Sequence, residues 1–138
     1  LYGSTLRSYV LGELIGQTLV KKTRLAVQLV LTDIQEMLSL SLVWPGTLAY
    51  VRQTPEQALD PHPAELPSDG PTLNLGDYCL LGSSTCSWSS EPLRAQLAPL
   101  ISYIELIEPF QRIREAIQEA QRVTQHPVGE DYDHSAAA

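Results

Sequence analysis

TLRSYVLGELIGQTLV, residues 5–20, is the stretch on which the fold turns. Leu6, Val10, Leu14 and Val20 share one parity, and Tyr9, Leu11, Ile15 and Leu19 share the other. A run apolar on both sides fits either strand or helix by periodicity alone. Gly12 and Gly16 tip the balance. Each costs a helix about 1 kcal/mol relative to alanine, whereas in a strand glycine permits bulges and sharp coiling. The stretch therefore predicts a long, glycine-bent strand, closed by a turn at Lys21-Lys22-Thr23.

Outward from it, residues 24–32 (RLAVQLVLT) read as a second strand, with Leu25, Val27, Leu29 and Leu31 on one face. Residues 37–43 (MLSLSLV) set Leu38, Leu40 and Leu42 against Ser39 and Ser41, the alternation of a half-buried strand. Trp44-Pro45-Gly46 breaks it, and 47–52 resumes extended structure. Pro55, Pro61, Pro63, Pro67 and Pro71 then mark a long acidic loop with room for one helical turn at 55–59. Gly76-Asp77 leads into a strand over 78–81, and residues 93–107 read as a final extended segment. Phe110, Ile113, Ile117, Ala120 and Val123 recur at helical spacing behind Pro109, so 109–125 is predicted to be a helix.

The chain has 138 residues, which predicts one domain, 1–126, carrying an acidic proline-rich insertion at 53–74 and followed by a disordered tail at 127–138. The numbering opens on Leu1, which suggests a trimmed end or a piece of a longer chain. Sixteen acidic and nine basic residues give a net charge of −7, excluding a uniformly basic nucleic-acid binder and a purely electrostatic membrane binder. The charge is polarised: residues 1–54 carry five basic and three acidic side chains, residues 55–138 four and thirteen. No apolar run approaches the roughly 18 residues of a membrane span, so no membrane partner is expected. Two cysteines, Cys79 and Cys86, point to a reducing intracellular compartment, with a hairpin disulfide as the alternative. His62, His126 and His134 lie near prolines or in the tail, and no nucleophile elbow, phosphate loop or metal-binding pair appears. The expectation is a protein that is not an enzyme, with no catalytic residues, no metal and no cofactor.

The order of elements resembles an OB-fold of the replication-protein-A type. A glycine-bent first strand, Leu6 to Val20, leads into a second ending Leu31-Thr32-Asp33. Leu75-Gly76-Asp77-Tyr78-Cys79-Leu80-Leu81-Gly82 resembles the family's fourth strand. Ile104-Glu105-Leu106-Ile107-Glu108-Pro109 resembles its closing strand before a C-terminal helix. The stretch 53–74 departs from the family, which has a shorter connection there. The expected fold is mainly β: a five-stranded OB-like antiparallel barrel with a C-terminal α-helix.

That resemblance implies a subunit of a larger complex acting on single-stranded or telomeric DNA, located in the nucleus. Its partner would be another protein subunit docked on helix 109–125 through Phe110, Ile113, Ile117 and Val123. Direct binding of single-stranded nucleic acid is the first alternative. It would use Lys21, Lys22, Arg24, Arg52 and Arg94 for phosphates and Trp88 for stacking. For Trp88 the competing role is to anchor its loop. A small-molecule-binding or lyase-like α+β domain, with a ligand in the concavity of the sheet, is the second alternative.

Overall fold

The computed structural model describes residues 3–54 and 69–125. The acidic loop's prolines 55–67, the helical turn at 55–59, His62, His126, His134 and the tail at 127–138 lie outside the described residues. The chain divides into two compact units, Leu1–Ile107 and Glu108–Ala138.

The stretch that decides the fold is helical, not extended. Helix α1 (Gly3–Ser8) passes into a π-helical run (Tyr9–Gly16) and then into α2 (Gln17–Lys22). Thr23 turns extended and donates its N–H to the Leu19 carbonyl at 3.1 Å, which ends the run. The glycines that argued for a strand are the reason the helix packs. Gly12 and Gly16 are its only buried residues in the π segment. Both face a 3-10 helix, Gln35–Leu42. A Cβ on Gly12 would lie 1.9 Å from Ser39 Oγ and 2.8 Å from the Leu40 nitrogen. Two backbones this close leave no room for a side chain. The helical penalty of glycine is offset by the contact it permits.

The third expected strand is that 3-10 helix. In a strand, Leu38, Leu40 and Leu42 would share one buried face. Here Leu38 and Leu40 are buried while Leu42 is 60% exposed. The serines are explained by their hydroxyls. Ser39 Oγ donates to the Glu36 carbonyl and Ser41 Oγ to the Leu38 carbonyl, each three residues back, at 3.1 and 2.8 Å. Ser39 Oγ also reaches the Ser8 carbonyl at 2.5 Å, tying the two helices together. Ser41 Oγ meets Thr85 Oγ1.

The sheet holds β1 (Leu29–Thr32), β2 (Thr47–Gln53), β3 (Thr72–Leu75) and β4 (Tyr78–Leu81), in the order β1-β2-β4-β3. β1 and β2 are parallel, with Leu29 opposite Thr47 and Thr32 opposite Tyr50. A parallel pair needs a crossover rather than a hairpin, and the 3-10 helix supplies it. At its entry Thr32 Oγ1 accepts the Ile34 N–H at 3.1 Å, a hydroxyl-closed turn. β2 pairs antiparallel with β4, and β4 with β3. Gly76 and Asp77 form the turn between β3 and β4, where Gly76 has φ +60°. A two-residue hairpin of this hand puts glycine first.

Alternation sorts the two faces. Leu48 on one face packs with Leu38 and Leu40, and Val20, Val30, Trp44, Tyr50 and Cys86 close around them. The other face carries Val51, Leu73 and Leu80, all nearly fully buried. Helix α3 (Ser90–Ile101) packs against β3 and buries Leu93 and Leu97. Residues 93–107 were expected to be a strand because of Pro99 and the alternation behind it. Pro99 instead sits near the helix C-terminus, two residues before its end. The Leu100 carbonyl then receives the N–H groups of Tyr103 and Ile104 at 3.0 and 2.9 Å.

The chain is therefore α+β, with one open four-stranded mixed sheet, and the five-stranded OB-like barrel is not formed. Three of its five strands, 5–20, 37–43 and 93–107, are helical over most of their length, and among the described residues the edges β1 and β3 do not pair. In the second unit, α4 (Glu108–Gln125) covers the residues whose spacing predicts a helix. Among the described residues no helix is long and apolar enough to cross a membrane.

Candidate functional site

The residues proposed for nucleic-acid contact sit on separate elements. Lys21 and Lys22 are exposed in the last turn of α2, and Arg24 is exposed just beyond it. Arg52 lies on β2, opposite Cys79 of β4, which lies opposite Asn74 of β3. Arg52 Nε is buried with no hydrogen-bond partner among the described residues. Burial pushes the Cys79 thiol up, and the positive charge of Arg52 pulls it the other way. A thiol shifted upward is a poor nucleophile. Both cysteines are free.

Trp88 anchors its loop. Its indole Nε1 donates to the Leu48 carbonyl at 2.7 Å, at the end of β2 that β4 leaves unpaired. Arg94, on α3, donates to the Asn74 carbonyl at 3.2 Å and approaches Glu91 at 4.0 Å. No groove of a barrel unites these side chains, since the barrel is absent.

The residues proposed for partner contact do share one face. On α4, Ile113, Ile117 and Val123 are 56%, 52% and 59% exposed, and Phe110 is half-buried. The charged residues of that helix pair along its surface. Arg112 Nη2 meets Glu108 Oε1 at 2.5 Å, and Arg122 Nη1 meets Glu119 Oε2 at 3.1 Å. These exposed pairs contribute only a few tenths of a kcal/mol each.

A third surface carried no signal in the sequence. An open cavity of about 810 Å³ lies between the N-terminal helical run and the 3-10 helix. Its walls are Leu6, Tyr9 and Leu42, with Glu13, Ser8 and Ser39 among the polar lining. A second cavity of about 450 Å³ shares Ser8, Ser39 and Leu42 and runs on to Glu36, Ser83 and Thr85. The two therefore border the same three residues of α1 and the 3-10 helix. Arg7 and Glu36 form an ion pair at 3.1 Å. The helical periodicity of Leu6, Tyr9 and Glu13 could have signalled this wall, had residues 5–20 been taken as helix. No family model, no curated protein and no solved structure matches this chain.

Proposed function

We propose that the chain is a non-catalytic assembly module that joins a second copy of itself by pairing α4 with α4. The stripe on α4 carries this reading: Ile113, Ile117 and Ala120 lie at spacings of four and three, and all are exposed. An isolated helix of this length is marginal in water. One with a polar and an apolar face gains its stability by covering the apolar one. Spacings of three and four suit a paired helix.

Charge favours an identical partner. The chain carries −7, but Glu108–Gln125 holds three glutamates and three arginines. Like helices therefore meet without net repulsion. Gln111, Gln118, Gln121 and Gln125 add polar surface without charge. The alternative of direct single-strand binding invoked a groove over a barrel, and Lys21, Arg52, Trp88 and Arg94 stand on separate elements with no barrel to join them.

Sedimentation velocity over a hundredfold concentration range tests the proposal. The wild-type chain is expected to grow in average mass with concentration, and Ile113→Asp/Ile117→Asp to stay monomeric throughout. A wild-type chain that stays monomeric, or a double variant that associates equally well, would rule it out.

A further inference from the structure

We propose that the cavity between the N-terminal helical run and the 3-10 helix binds a cationic amphiphile, a protonated amine carrying an apolar chain. The size fits: about 810 Å³ lies within the roughly 300–1,000 Å³ of small-molecule sites. So does the balance of chemistry, an apolar wall with few polar groups. Leu6, Tyr9 and Leu42 are 56%, 45% and 60% exposed, although the helices that carry them pack tightly at Gly12.

The polar groups identify the charge. Ser39 Oγ is already engaged by the Ser8 and Glu36 carbonyls. Glu13 is different. It is half-buried on the same wall, and no hydrogen bond or ion pair reaches it among the described residues. Glu36, Glu91, Glu108 and Glu119 each have an arginine within 4.0 Å; Glu105 and Glu115 also have no such partner among the described residues, and of the three only Glu13 lines the cavity. A carboxylate on a partly desolvated apolar wall attracts a cation more strongly than one in open water. Tyr9 adds an aromatic ring to the same lining, and a ring face attracts an ammonium group. Tyr9 and Glu13 both belong to the π-helical run, a conformation that recurs at functional sites. An amine at Glu13 and Tyr9 would lay its chain along Leu6 and Leu42. All the residues lining the cavity belong to the first unit.

Three probes with one tail separate the terms: octylammonium, octan-1-ol and octanoate, each titrated calorimetrically into the full chain. Octylammonium is expected to bind about tenfold more tightly than octanol, with octanoate weakest. Glu13→Gln is expected to erase the preference for the amine while leaving octanol binding in place. Leu6→Ser/Leu42→Ser is expected to weaken all three by about tenfold. These two leucines are solvent-exposed, and unchanged circular dichroism would show that the fold survives. In wild type the Tyr9 ring resonances should shift on adding octylammonium. Octanoate binding as tightly as octylammonium, a preference that survives Glu13→Gln, or neither heat nor a Tyr9 shift would each overturn the site.

Discussion

The helical run over 3–22 and helix α4 are close in length and opposite in design. The first buries glycines, Gly12 and Gly16, and leaves Leu6, Tyr9, Leu14, Ile15 and Leu19 largely exposed. The second contains no glycine, buries none of its residues and gathers its large apolar side chains into a stripe. In the first, stability comes from backbone approaching backbone, with Ser39 bridging to the Ser8 carbonyl. In the second, Ile113, Ile117 and Val123 stand exposed, and the proposed partner helix would supply the side-chain volume that covers them. Which residues a helix buries thus depends on how near its neighbour comes, and large apolar side chains left outside become surface for other work.

The sharpest way to break the comparison is through the residue beneath the glycines. Leu40 is fully buried and its Cδ1 lies 3.4 Å from where a Gly16 Cβ would stand. Leu40→Ala is expected to cost about 2–5 kcal/mol, read from the urea midpoint of Trp44 and Trp88 fluorescence. Gly12→Ala comes next. The added methyl has only the Ser39 hydroxyl and the Leu40 backbone to displace, so despite alanine's better helix propensity it should destabilise by about 1–3 kcal/mol. A stabilised Gly12→Ala protein would show that the helices are not in close contact.

Gly16→Ala sharpens the same point. Its nearest neighbour is Met37 Cε at 3.2 Å, the end of a flexible side chain. Met37 can move, and alanine's propensity gain of about 1 kcal/mol opposes the crowding. The net change should stay within about 1 kcal/mol, well below that of Gly12→Ala in the same urea series. On α4 the effects shrink further. Glu108→Gln removes the partner of Arg112 and should lower stability by about 0.3–0.5 kcal/mol, seen as a small loss of helical ellipticity that salt reproduces in wild type.

The legible parts of the sequence were those whose signal is local. Gly76-Asp77 announced a turn because only a short φ > 0 connection fits it. The spacing from Phe110 to Val123 announced α4, since no other element competes for that stripe. The strand at 47–52 was also visible and is β2. Residues 5–20 misled because glycine's helical penalty is local, whereas the contact with Ser39 and Leu40 that offsets it comes from about 30 residues away. Residues 37–43 misled because Leu-Ser alternation mimics a strand whenever the serines bond back three residues. The binding wall of Leu6, Tyr9 and Glu13 was hidden by the same error, because a strand would have set Leu6 and Glu13 on opposite faces. For Trp88 both a stacking role and a loop-anchoring role were open in the sequence, and its indole donates to the Leu48 carbonyl, a partner forty residues away that no local pattern names.

The two-residue turn at Gly76-Asp77 also bears on the time course of folding. β3 and β4 are joined by the shortest connection in the sheet, so their pairing closes a minimal loop and belongs to the microsecond class of events. β1 finds β2 only after the crossover through residues 33–46 closes, and β2 finds β4 only after a longer one. Loop closure grows costlier with length. The β3–β4 hairpin is therefore expected to seed the sheet, the β1–β2 pair to follow, and the β2–β4 pairing and the contact between the two tightly opposed helices, both across longer loops, to come last. A substitution at Gly76 should then slow folding, while one at Gly12 should mainly speed unfolding.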